Sequence, residues 1–298
     1  MRLALALMLL AVACAPKNPS PPLPAILPTP AAAPAPKPAT ARVVDGDFAF
    51  RGKITQGGLA VGRAPKGTRE LTLDGRRLRV DADGRFLIGF GRDAPGFAVV
   101  EAKLADGTIV RVNLRIAPRE WKIERIPSLR QNLAPNPAYE KLRTEELDRI
   151  KAARAINAQS SGWTEHFGWP VKGRISGIYG SQRILGGVPM NFHGGFDIAA
   201  PSGTPVLAPS SGVVVLAGPP KFSLEGNLLM LDHGNGLVSS FLHLSRVDVA
   251  LGDRVVKGQR IGAIGMTGRA TGPHLHWGMS LGATRVDPQL LLPAMDAL

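Results

Sequence analysis

Asp74-Gly75, Asp83-Gly84 and Asp106-Gly107 cut residues 42 to 128 into short segments, and each pair suits the positive-φ positions of a tight hairpin turn. Between the turns apolar and polar residues alternate: Leu71 and Leu73, Leu78 and Val80, Phe86 and Ile88, then Val110, Val112, Leu114 and Ile116. A period of two broken by such turns specifies strands and leaves no room for a long helix. Residues 42–130 are therefore expected to form a small all-β, sandwich-like domain. It contains no histidine and its acids fall mostly at turns, so its expected role is structural, with wall-polymer binding or covering of the other domain left open.

A different pattern follows. Asn136-Pro137 offers a cap and a first-turn proline, and Leu142, Leu147, Ile150, Ala153 and Ile156 recur at near-helical spacing. Residues 131–160 are read as a connector built on a helix over 137–158, with its charges on a solvated face and Glu145 paired to Arg149. Beyond it, 161–298 returns to β: Gly212 to Leu216 is a buried-strand pattern, Asp232-His233-Gly234-Asn235-Gly236 a turn, Val247 to Val255 strand, turn and strand, and Gln259 to Ile264 a further strand. The whole is mainly β, and this last region is expected to be compact antiparallel sheet.

The first residues predict export. Met1-Arg2 precedes an apolar run from Leu3 to Ala13, too short for the ~20 residues that a spanning helix needs. Small residues before Cys14 resemble a bacterial lipobox, in which the Cys14 thiol carries lipid and anchors the protein to a membrane in the periplasm; Ala11-x-Ala13 also suits an ordinary signal peptidase. Residues 1–14 are thus signal and lipobox. Residues 15–41 are Pro- and Ala-rich, cannot build a helix or sheet core, and read as an extended tether.

Cys14 is the single cysteine, so a bound metal must be held by histidine and carboxylate. Four of the six histidines fall into three signals: His193-Gly-Gly-Phe-Asp197, His243 in Phe241-Leu-His-Leu, and His274-Leu-His276. In strands, positions two or four apart share a face, so four imidazoles and one carboxylate can converge in one sheet. Catalytic zinc takes three nitrogen or oxygen ligands and keeps an open fourth position; two imidazoles and one carboxylate meet that count and leave two imidazoles to move protons. His166 and His233 are read as structural.

With these motifs, residues 173–288 resemble the lysostaphin/LytM-type zinc metalloendopeptidases of peptidoglycan. The likeness runs through His193-Gly-Gly-Phe-Asp197-Ile-Ala-Ala-Pro-Ser-Gly-Thr-Pro-Val, Phe241-Leu-His243-Leu-Ser, Gly252-Asp-Arg-Val-Val-Lys-Gly-Gln and Gly265-Met-Thr-Gly-Arg-Ala-Thr-Gly-Pro-His274-Leu-His276-Trp. It implies Zn²⁺ on His193, Asp197 and His276, catalytic assistance from His243 and His274, and attack of a zinc-activated water on a peptide cross-link. Arg183, with its fork of donors, is a candidate contact for a substrate carboxylate or oxyanion. Leu185-Gly-Gly-Val-Pro-Met-Asn-Phe stands where pentaglycine hydrolases of the family bear a tyrosine, which points to periplasmic members that cut D-alanyl-diaminopimelate links.

Some relatives of this fold lack the ligands and activate wall amidases without catalysis. All five positions are intact here, which favours the enzyme over that alternative. A biotinyl or lipoyl carrier lacks its required lysine setting. The net charge of +13 suits anionic envelope surfaces and peptidoglycan carboxylates; 5% aromatics and the lack of a recognition motif argue against nucleic acid.

Overall fold

The computed structural model describes residues 43–45, 48–128 and 136–295. The signal and lipobox at 1–14 with Cys14, and the tether at 15–41, lie outside the described residues. Within them, the chain is strand and loop apart from one α-helix and two short 3-10 turns.

The N-terminal region is two sheets on one core. A five-stranded sheet runs in the order Val43–Asp45, Ile109–Arg115, Phe97–Leu104, Thr68–Leu73, Arg76–Arg77; a three-stranded one runs Ala49–Gly52, Leu59–Arg63, Arg85–Gly89. Alternation does the sorting expected of it. Ala98, Val100 and Ala102 point inward from one sheet and Phe86 and Ile88 from the other, where they meet Leu71 and Leu114. At the first hairpin Asp74 and Gly75 both take positive φ, 49° and 76°, as the Asp-Gly pair requires.

Within the three-stranded sheet, Arg85–Gly89 is buried on both faces. Leu87, between Phe86 and Ile88, joins Leu59 in a second core with Trp163, Met279 and Val286 of the C-terminal region. A further link is the strand Ile123–Ile126, which pairs in parallel with Gln182–Leu185. Residues Ala41–Leu298 accordingly form one compact unit.

Helix α1 spans Pro137–Ala155, with Asn136 Oδ1 accepting from Tyr139 N at 3.1 Å. It stops short of residue 158 because Ile156 is extended. Two expectations are corrected. Of the apolar stripe only Ile150 and Ala153 are buried, while Leu142, Leu147 and Ile156 stay exposed. Nor are the charges only a solvated face: Glu146 is 3% exposed, bonded by Ser223 and Arg143, and Arg143 is bidentate to Glu225 at 2.7 and 2.6 Å. Arg149 turns to the Phe222 ring, its guanidinium 4.3 Å from the centroid. The helix docks by ion pairs as much as by apolar contact because its surface here is largely charged.

The main C-terminal sheet is antiparallel, in the order Arg174–Gly177, Gly195–Ala199, His274–Leu281, Leu237–Leu244, Asn227–Asp232, Gly212–Leu216, Arg254–Val255, with Thr284–Val286 added beside His274–Leu281. One face carries Phe196, Phe241, Leu275 and Trp277 into the larger core, where Phe241 and Trp277 stack at 6.2 Å. Removing a buried aromatic of this size costs about 3–5 kcal/mol. The opposite face holds α1 at one end and the polar motifs at the other.

Candidate metal centre

Three elements deliver the candidate ligands, His193, Asp197 and His276. Asp197 and His276 are register partners on adjacent strands, so their side chains rise from the same face side by side. His193 comes from the loop before Gly195–Ala199, not from an extended strand as its spacing suggested, and that loop is pinned by His193 N to Ser181 O at 2.8 Å and Gly180 N to His193 O at 2.9 Å. The strand Gln182–Leu185 and its partner Val188–Pro189 make the hairpin that aims it.

The three side chains close a triangle. His193 Nε2 lies 3.0 Å from Asp197 Oδ1 and 2.9 Å from His276 Nδ1, and His276 Nδ1 lies 2.9 Å from Asp197 Oδ1. His193 Nδ1 must donate to the Ile178 carbonyl at 3.0 Å, so in the neutral ring Nε2 is a bare lone pair aimed into the triangle. Lone pairs on three atoms then face one point, an arrangement that a cation relieves. Ligands ~2.0–2.2 Å from a tetrahedral zinc sit roughly 3.3 Å apart, so small outward shifts admit the ion. Donor type, number and second-sphere carbonyl all fit Zn²⁺.

Electrostatics agree. Burial works to raise the Asp197 pKa, yet when the facing rings carry protons their hydrogen bonds overcome it and hold the carboxyl well below the usual range; Asp197 in turn raises the His193 pKa against burial, so a cation entering the triangle displaces that proton. Burial pushes His276 down, against the pull of Asp197, which favours the neutral ring that binds metal.

Glycine makes room for the site. A Cβ at Gly177 would run into Asp197 Oδ2 and stand 3.1 Å from His193 Cε1, and one at Gly195 would lie 2.8 Å from His276 Nε2. Sequence reasoning did not single out Gly177, although it falls in the stretch leading to the Arg183 motif.

The remaining two histidines flank the triangle. His274 Nε2 lies 4.0 Å from Asp197 Oδ1, and the rings of His243 and His274 are 4.8 Å apart. Strict alternation would turn His243 into the core, since Leu242 is the register partner of His276. A bulge opposite Asn227–Leu229 inserts one residue, and His243 takes φ 64°, which re-aims the ring. His243 Nδ1 donates to Thr267 O and His274 Nδ1 to Gly272 O, both at 2.8 Å, so each Nε2 is free to accept. Arg183 is not drawn into this group: its Nε bonds Glu124 Oε2 at 2.8 Å, with both side chains more than half exposed. His233 is fully buried between Ser211 O and Ser239 Oγ, a structural role, and His166 is exposed.

Residues 191–288 match Peptidase family M23, a stretch that includes all five motif residues. The chain carries an M23 peptidase domain. This domain is 47% identical over 85 residues to the peptidoglycan DD-endopeptidase ShyA of Vibrio cholerae, covering 28% of this chain and 19% of that protein. It is 40% identical over 107 residues to ShyC, also a peptidoglycan DD-endopeptidase of Vibrio cholerae, covering 36% and 24%. The matched part thus spans about a fifth to a quarter of those relatives. A putative M23 peptidase of Pseudomonas aeruginosa, solved as a crystal structure, superposes with a TM-score of 0.61 at 28% identity, over 80% of this chain and 94% of that one. That likeness extends well beyond the M23 domain.

Proposed function

We propose that the protein is a zinc-dependent endopeptidase that cuts peptide cross-links of peptidoglycan. The observation that carries this is the convergence of His193 Nε2, Asp197 Oδ1 and His276 Nδ1 within an M23 domain whose similar curated relatives are named DD-endopeptidases. Zinc bound there supplies a Lewis acid and a water acidic enough to deprotonate near neutrality.

The chain's own groups do the rest. His193, Asp197 and His276 hold the ion and leave one side open to the cleft. His243 and His274 present free Nε2 atoms that take a proton or hydrogen-bond the developing oxyanion. Burial lowers the His243 pKa first and repulsion from His274 adds to it, so His243 is neutral at neutral pH and able to accept. Either Nε2 can take up a proton from the attacking water and return it to the leaving amine. Arg183 serves as a contact for a substrate carboxylate: its pairing with Glu124 is exposed and weak enough to exchange.

Such a substrate places the protein outside the cytoplasm, and the reading includes a lipid on Cys14. Metabolic labelling with palmitate, lost in Cys14→Ser, tests the anchor. The activity is tested by mass spectrometry of muropeptides released from purified sacculi. The wild-type chain is expected to convert cross-linked dimers to monomers, and chelation or His276→Ala to stop it; unchanged dimers with zinc-loaded wild type would leave the non-catalytic activator reading.

A further inference from the structure

Among the described residues, Arg285 beside the metal triangle and Arg154 of α1 form no ion pair with a carboxylate. Direct partners in an antiparallel sheet share a face, so the register gives successive rows: Leu242, His276 and Asp197; Ser240, Gly278 and Gly195; Val238, Ser280 and Arg285. Beyond the candidate ligands the rows hold buried glycine and serine, and Arg285 beside them is exposed. Arg285 leans back over the residue after His193: a Cβ at Gly194 would lie 2.7 Å from its Nη1 and 2.8 Å from its Cδ. Tyr179 Oη donates to the Arg285 carbonyl at 2.8 Å and fixes its backbone.

From the last turn of α1 comes Arg154, whose Nε is buried without a partner; the Ser280 hydroxyl, 4% exposed, is in the same state. Burial lowers the Arg154 pKa most and repulsion from Arg285 adds to it, against a weaker pull from the Glu225 carboxylate, so Arg154 and Arg285 lie close enough to feel each other. Other arginines are answered within the chain: Arg143 by Glu225, Arg119 by Asp287, Arg92 by Asp93 and the Gly180 carbonyl. Among the described residues no carboxylate pairs with Arg154 or Arg285. Arg285 is exposed and free to meet a ligand, whereas the buried Arg154 Nε and Ser280 Oγ are orphaned donors, and such groups call for a partner.

We propose that Arg285, Arg154 and the Ser280 hydroxyl form a carboxylate-binding subsite that anchors the peptide substrate beside the metal triangle. Guanidinium forks match a carboxylate in two bonds, and Arg285, leaning over Gly194, puts that fork beside the residue that follows His193. The identity of the substrate rests on the peptidase reading; the charge geometry does not.

Calorimetry tests this with zinc-loaded protein and an uncross-linked wall tetrapeptide, offered with free carboxylates or fully amidated. The free acid is expected to bind at least about tenfold more tightly than the amide. That preference disappears in Arg285→Gln and in Arg154→Gln, and Arg285→Lys retains part of it. Arg154→Met, which removes an unanswered charge, raises the unfolding midpoint of the ligand-free protein, a gain that no packing role for the side chain predicts. Equal affinity for acid and amide, binding of neither, or a preference that survives the substitutions overturns the subsite. Cleavage of sacculi by the same wild-type sample reports separately on the peptidase reading: cleavage without acid preference removes the subsite alone, and acid preference without cleavage removes the peptidase alone.

Discussion

The backbone N–H of His243 donates to the Glu225 carbonyl at 2.9 Å, and the Glu225 carboxylate is in turn gripped by Arg143 of α1. The helix thereby reaches the His243 side of the site. Hydrogen bonds that Arg143 donates to Glu225 raise its pKa, so this cation is permanent. Glu225→Gln is expected to lower kcat about three- to tenfold with KM and zinc content unchanged, because it loosens the left-handed turn at His243 without touching the metal. Steady-state kinetics with metal analysis checks this; a change in KM alone would contradict it.

His243→Ala and His274→Ala should each cut turnover by about 10²- to 10⁴-fold, the usual worth of a positioned acid or base. Zinc stoichiometry should stay at that of the wild type, because neither ring belongs to the triangle. Loss of metal in either variant would move that residue into the ligand set.

Gly177→Ala should weaken zinc binding by about tenfold or more, since the added methyl runs into Asp197 Oδ2. Competition with a chromophoric chelator reads the affinity. Wild-type affinity in this variant would show that the Asp197 carboxylate is free to move aside.

His233 gives a stability signature. Burial depresses its pKa below 6.5, against the Ser211 carbonyl that favours the charged ring. The unfolded chain then binds a proton that the folded chain refuses, so stability falls as pH drops below 6.5. His233→Asn should flatten denaturant-derived stability between pH 6.5 and 5 by up to about 1.4 kcal/mol per pH unit relative to wild type. Parallel curves would contradict it.

The β character and the meeting of the five candidate residues were legible because their signals are local. Asp74-Gly75 demands two positive φ values, and His274-Leu275-His276 needs only the two-residue period of a strand. His243 was legible as a residue but not as a geometry, since a bulge set by its pairing with Asn227–Leu229 turns it out of the core. The buried Glu146 was missed for a similar reason: Ser223 and Arg143 satisfy it, and Ser223 lies 77 residues away in sequence. Arg154 and Arg285 could not be read as a pair at all, because only the fold of α1 against the sheet brings them to one face.

Zinc-edge X-ray absorption on the metal-loaded protein, with zinc content measured for single alanine variants, tests the central claim most directly. Two imidazole nitrogens at ~2.0–2.1 Å and carboxylate oxygen at ~2.0–2.2 Å are expected, with zinc lost in His193→Ala, Asp197→Ala and His276→Ala and kept in His243→Ala. Full zinc binding in all three ligand variants, or a shell without two imidazoles, would contradict the account.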